Sequence, residues 1–348
     1  MGKKGSFAWF LLFILVLTAC APAGTQASSP TADPVTDPTA TVIPPITATS
    51  IPPASATPGP APKSMTATHV TIIPTLKTPA PQASATPSPT QEVQSIGLSA
   101  GGRPLLAHRL GMGDIHIAVV GGIHGGYEWN SILLALRMLD YFRDNSSAIP
   151  AAITLHIVPN ANPDGLFAVS GREGAFEPAD IYADTVPGRF NGNGVDLNRN
   201  WDCRWSPTAL WRDQLVTAGT SPFSEPENRA LRDYLLENRP EVVIFLHSAA
   251  GAVYVSGCPD PHPPSEELAL VYGRAADYPV YPLFDHYLIT GDAGDWLTTQ
   301  GIPSFTVELV THEDLEYEKN MAGIVALMNF VTAQPSITIP VAPRYEYE

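Results

Sequence analysis

Two histidines and two glutamates in this sequence stand where metal-assisted chemistry would need them. His124 and Glu128 flank Gly125-Gly126-Tyr127 in a glycine-rich turn that leads into a helix, so both can converge on one metal ion. His247 follows the apolar run Val242-Val243-Ile244-Phe245-Leu246, at the point where a strand stops. Two histidines and one carboxylate, with a fourth position left to water, form the donor set of a catalytic zinc site. Glu308 interrupts a further apolar strand, Ser304-Phe305-Thr306-Val307-Glu308-Leu309, where an unpaired carboxylate is expensive to bury. Each residue also has a structural reading. A lone histidine at a strand end is commonly just hydrogen-bonded, a glutamate near a helix start serves the helix dipole, and Glu308 could pair with an arginine. His108, His116, His156, His262, His286 and His312 keep that structural reading.

Alternating strands and helices must position these groups. Ile115 to Val120 is a short β-branched run bounded by glycines, the pattern of a buried strand, and Ala152 to Val158 is a second. Ile132, Leu136, Leu139 and Phe142 recur at helical spacing from Asn130 through Asn145. Ser224-Glu225-Pro226-Glu227 reads as a capping box opening a helix that ends near Pro240, before a third strand at Val242 to Leu246. A helix near Ser265 to Asp277, a strand at Ser304 to Leu309 and a helix from about Glu316 to Val331 complete the series. Such alternation predicts an α/β domain whose sheet is covered on both faces. The candidate site residues then fall just past strand ends, where α/β folds place ligands.

The segments between sharpen the reading. Asn162-Pro163-Asp164-Gly165, Gly194-Val195-Asp196-Leu197-Asn198-Arg199-Asn200-Trp201, the His247-Ser248 pair and Thr306-Val307-Glu308-Leu309 resemble, in this order, the M14 zinc carboxypeptidases. The resemblance runs from about Ile115 to Val310 and takes in Pro222 to Glu227. It implies a mixed, mostly parallel sheet with helices on both faces, and one Zn2+ held by His124, Glu128 and His247. Asn198 and Arg199 match the pair that grips the substrate's terminal carboxylate, a task suited to a planar guanidinium. Glu308 matches the general base that activates water. Arg189 is the candidate to polarise the scissile carbonyl, with Arg172 as the other choice. Tyr287, or Tyr281 close by, matches the family's mobile tyrosine. One departure stands out: the family's His-x-x-Glu has one extra residue here, which the glycines of the turn can absorb.

The family includes enzymes that trim protein C-termini and bacterial enzymes that cut peptidoglycan stem peptides, including γ-D-glutamyl-diaminopimelate bonds. Thr290 to Trp296 looks closer to the bacterial branch. Gly294, at the position that helps set side-chain preference, implies a roomy, undirected pocket, while Asp292 or Asp295 would attract a basic or zwitterionic group. The resemblance therefore implies a peptide or muropeptide substrate. An aspartoacylase-type deacylase and a non-catalytic binding protein on the same fold are the rival classes.

The N-terminal quarter has a different character. Lys3 and Lys4 precede an apolar run from Phe7 to Leu17, shorter than a membrane span and suited to a signal-peptide core. Leu17-Thr18-Ala19-Cys20 resembles the lipobox of bacterial lipoproteins, which implies a signal peptide over 1–19 and a lipid anchor on Cys20. An ordinary secretory signal is the alternative. Residues 20–92 hold 16 of the 36 prolines and no aromatic residue, and read as a disordered tether with Thr and Ser open to O-glycosylation. The domain is expected over 93–335, with a short tail at 336–348. A formal net charge of -15 argues against a nucleic-acid partner, which needs a basic face. Of the three cysteines, Cys203 and Cys258 remain once Cys20 is lipidated. Outside the cytoplasm they would bridge, with two separate thiols as the alternative.

Overall fold

The structure, a computed structural model, describes residues 91–334. Cys20, the signal-like segment, nearly all of the tether and the C-terminal tail lie outside the described residues. The chain begins with an antiparallel pair, β1 (Glu92–Leu98) and β2 (Pro104–Gly111), then β3 (Ile115–Val120), α1 (Trp129–Asp144), β4 (Ile153–Val158) and α2 (Pro163–Ser170). A hairpin of β5 (Thr208–Trp211) and β6 (Gln214–Thr217) precedes α3 (Pro226–Asn238). There follow β7 (Val242–Ser248), β8 (Ala252–Val255), α4 (Pro263–Ala276), β9 (Val280–Tyr281), α5 (Ala293–Thr299), β10 (Ser304–Leu309) and α6 (Tyr317–Ala333).

All but the hairpin strands join one sheet in the order β1-β2-β4-β3-β7-β10-β8-β9. The central four, β4, β3, β7 and β10, run parallel, with antiparallel neighbours on both sides. The sheet is thus mixed and mostly parallel, as the sequence implied. The period of two along each strand divides the core. Ile117, Val119, Ile244 and Leu246 pack with α1, α4 and α6 on one face. Ala118, Val120, Val243 and Phe245 pack with α3, α5 and Trp201 on the other.

The helix after Ser224 begins differently from the expectation. Glu225 is the residue before the first turn, and its side chain does not cap the helix. Instead Glu225 accepts hydrogen bonds from Asn191 and Asn193, both at 2.8 Å, and Glu227 accepts from Asn191 at 3.1 Å and from the Ala100 amide at 2.9 Å. The capping-box pattern therefore anchors the loop that leads to Asp196. Strands β1, β2, β5, β6, β8 and β9 and helices α2 and α5 were not expected from the sequence. They are short or lie at or next to the sheet edge, and β1 is largely exposed, so no apolar alternation marks it.

Cys203 and Cys258 form a disulfide, Cα to Cα 6.2 Å, so the two-thiol alternative is set aside. The bridge fastens the loop after Trp201 to the loop after β8. Replacing both cysteines by serine is expected to cost about 4 kcal/mol, the chain-entropy value for a separation of 55 residues. Chemical denaturation would read this as a lower midpoint, and an unchanged midpoint would contradict it.

Candidate functional site

The parallel register brings three strand ends to one place. Glu308 of β10 lies directly beside His247 of β7, and β3, the other neighbour of β7, leads into the turn that carries His124. That turn is a short 3-10 helix, Gly125–Glu128, which delivers Glu128 to the start of α1. Gly125 sits at φ +46°, and a Cβ there would lie 2.6 Å from the Gly188 carbonyl oxygen. Glycine at this point lets the longer turn close.

The result is a compact donor set. His124 Nδ1 lies 2.8 Å from one Glu128 oxygen, His247 Nδ1 lies 2.9 Å from the other, and the two imidazole nitrogens are 3.2 Å apart. All three side chains are buried, and their ligand atoms lie within 4.8 Å of one another. Burial opposes ionisation of Glu128, but the two histidines outweigh it and hold its pKa below the ordinary value. Two buried imidazole nitrogens and a buried carboxylate converging on one point are a donor set that fits Zn2+.

Asp196 was quoted in the sequence motif but given no role, and the structure supplies one. It is fully buried, accepts hydrogen bonds from Arg189 Nε at 2.8 Å and the Asn198 amide at 3.1 Å, and faces His124 Nε2 at 3.3 Å. Burial acts against its charge, yet Arg189 and then Arg199 hold its pKa below the usual carboxylate range. A carboxylate on the far nitrogen of a metal-ligating histidine fixes the ring and raises its basicity. The available signal was the position of Asp196 two residues before Asn198.

Arg189 extends from Asp196 toward the donor set, with its Nη1 3.9 Å from Glu128 and its guanidinium 4.6 Å from the Trp211 ring. Arg172, the alternative, is exposed and pairs with Asp180 at 2.6 Å, outside the site. Tyr287 lines the site and its ring lies 6.0 Å from the Arg199 guanidinium, whereas Tyr281 is exposed and stacks on Tyr254.

A cavity of about 350 Å³ joins His124, His247 and Glu308 to Asn198, Arg199 and Tyr287. Asn198 is locked in place by Asp292 at 2.8 Å and by the Ala293 amide at 3.0 Å. Arg199 spends its Nε and Nη1 on the Leu210 and Asn198 carbonyl oxygens at 3.0 and 2.7 Å. No carboxylate of the described residues pairs with it within 4 Å, although only 2% of it is exposed. The Glu308 carboxylate likewise has no hydrogen bond or ion pair among the described residues, so the arginine partner of its structural reading is not there. Burial, countered by His247, pushes its pKa up to about 7. One cavity thus holds a buried guanidinium that lacks an anion and an uncommitted carboxylate beside a metal-type donor set.

A model of the zinc carboxypeptidase family matches residues 82–325. The chain belongs to that family. The family is zinc-dependent, in agreement with the His-Glu-His donor set. Carboxypeptidase B of Astacus astacus is 28% identical over 162 residues, 44% of this chain and 52% of that protein. Murein peptide amidase A of Escherichia coli (strain K12) is 26% identical over 202 residues, 55% of this chain and 69% of that protein. The chain spans about half the length of carboxypeptidase B of Astacus astacus and of carboxypeptidase O of Bos taurus. In fold it is similar to bovine thrombin-activatable fibrinolysis inhibitor, solved in complex with tick carboxypeptidase inhibitor. The TM-score is 0.56 at 21% identity, covering 70% of this chain and 90% of that one. Carboxypeptidase A from Helicoverpa armigera gives 0.55 at 21% identity, covering 70% and 68%.

One expectation for this member of the family needs correction. Gly294 does not line the cavity, and a Cβ there would meet Ser256 Oγ at 2.4 Å. Ser256, Asp292, Asp295 and Arg204 line the cavity instead, so it is directed by polar groups. Of the histidines read as structural, His156 is bonded to Tyr234 and His116, while His286 lines a second cavity at the site.

Two outcomes are expected. Asp196→Asn keeps the shape but loses the charge, and should weaken zinc binding roughly 10- to 100-fold in a competition titration. Burial, and next Asp292, push the Asp295 carboxyl from 3.8 up to about 8. A carboxyl whose pKa rises on folding favours the folded state while protonated, so its contribution falls away as pH climbs through that range. Asp295→Asn should therefore lose less thermal stability than the parent between about pH 4 and pH 8, and an equal loss in both would oppose this.

Proposed function

We propose that the protein is an exported zinc metallocarboxypeptidase that hydrolyses the peptide bond preceding a residue with a free terminal carboxylate. The observation that carries the reading is the buried Arg199, which lacks an anion and shares a cavity with the donor set and the free Glu308. His124, Glu128 and His247 would hold zinc, which when bound acts as a Lewis acid toward water and the scissile carbonyl. Asn198 and Arg199 receive the substrate's terminal carboxylate, which places the preceding bond beside Glu308. Glu308 takes a proton from the attacking water and passes it to the leaving amine. Arg189, held in place by Asp196, faces the negative charge that develops on the carbonyl oxygen. Tyr287 closes one wall and limits access of bulk water.

A muropeptide substrate is the second reading. The relative murein peptide amidase A favours it, as do Asp292 and Arg204 in the same cavity, which match a side chain bearing both an ammonium and a carboxylate. The proposed location is extracytoplasmic, with a lipid on Cys20 and the Pro/Thr-rich stretch as tether. Its support is the order of Lys3-Lys4, the apolar run and Leu17-Thr18-Ala19-Cys20, together with the disulfide.

Glu308→Gln should retain zinc and lose roughly 10²- to 10⁴-fold in hydrolysis. Full activity in that variant would remove the base assignment. Mass spectrometry of a peptide library and of muropeptides incubated with the zinc-loaded protein separates the two substrates: single C-terminal residues released from many peptides support the first, and cleavage confined to muropeptides supports the second.

A further inference from the structure

The cavity that holds Arg199 meets a second one, of about 560 Å³, at His124, Phe284, Tyr287 and Glu308. On the carboxypeptidase reading, a substrate whose terminal carboxylate rests on Arg199 and whose scissile bond lies at Glu308 must send its preceding residue into this second cavity. The β5–β6 hairpin forms part of its wall, with Trp211, Arg212 and Asp213 at the turn. Arg212 takes a left-handed turn conformation, φ +58°, and its guanidinium lies 5.9 Å from the Trp211 ring.

The charged groups of this cavity differ in how far they are committed. Arg189 is tied to Asp196, and Glu128 to His124 and His247. Glu308 is free but is the proposed base, and Asp213 is exposed at the turn. Arg212 is exposed and has no carboxylate within 4 Å among the described residues. Among the described residues Arg212 is thus a cation of this cavity without an ionic partner, in the arm that the residue before the scissile bond would enter.

We propose that Arg212 makes the second cavity a subsite for a carboxylate carried by the residue immediately N-terminal to the bond that is cut. Two substrates offer that group: an aspartate or glutamate in an ordinary peptide, and a glutamyl residue joined through its γ-carbonyl, which keeps its α-carboxylate free. The charge-assisted contact is planar and partly exposed, so it weakens with salt.

The test uses the zinc-loaded full chain and peptides that share a terminal residue and carry glutamate, glutamine or lysine before it, with a γ-linked glutamyl peptide as a fourth arm. Wild type is expected to prefer glutamate to glutamine about tenfold in kcat/KM, less at high salt. Arg212→Gln should bring the ratio near one, and Arg212→Glu should turn it toward lysine. Preference for the α-linked or the γ-linked arm identifies the source of the carboxylate. An unchanged glutamate-to-glutamine ratio in Arg212→Gln overturns the subsite. If no peptide is cut, the carboxypeptidase reading falls, and the affinities of the same peptides for wild type and Arg212→Gln decide the subsite separately. A glutamate preference lost in the variant sustains it, and equal binding overturns it.

Discussion

The site depends on the burial of Asp196. A carboxylate removed from water must be matched by positive charge and hydrogen bonds or its desolvation cost stands uncompensated. Asp196 is matched by Arg189 on one oxygen and by His124 and the Asn198 amide on the other. The same carboxylate therefore fixes the guanidinium assigned to the carbonyl, the orientation of a metal-type ligand and the start of the Asn198-Arg199 turn. Because these contacts share one acceptor, displacement of any one disturbs the others.

Asp196 is itself held from behind. Its amide bonds to Thr217 of the hairpin, and the preceding loop is fastened by Asn191 to Glu225 and Glu227 at the start of α3. On its other side, Trp201 and Cys203 exchange hydrogen bonds with Gly291, whose φ of +67° and lack of a side chain let its backbone pass close to the Arg199 carbonyl. The disulfide closes the loop that leaves this contact. Loops without regular structure are thus held as firmly as strands, which a site built on loops requires. Among the described residues of the first cavity, Arg199 and Glu308 stand against this framework without ionic partners. Unmatched charge at the rim of an otherwise well-matched core is where folding and function pull in different directions.

The groove has one arm bounded by Arg199 and another bounded by the hairpin, meeting at His124 and Glu308. A peptide end with a free carboxylate fits this form, since the first arm anchors the terminus and the second leaves room for the chain that precedes it. The polar lining of the first arm, Ser256, Asp292, Asp295 and Arg204, replaces the open space inferred from Gly294.

Much of this was legible in the residues. The apolar runs at Ile115–Val120, Ile153–Val158, Val242–Ser248 and Ser304–Leu309 marked the central parallel strands, because strands buried on both faces must be apolar throughout. His124, Glu128, His247, Asn198, Arg199 and Glu308 could be named from type, place and motif, since the chemistry requires those groups near strand ends. The edge strands and the hairpin carried no such pattern, being half exposed or too short. The sequence also left open whether Glu128 still reaches the histidines across a longer turn, which arginine and which tyrosine belong to the site, what Asp196 does and what fills the space at Gly294. These are questions of distance between residues far apart in the chain. Only the sheet register, the loop contacts and the packing decided them, because burial selects the arrangement in which most charges find partners, and that balance exists only in three dimensions.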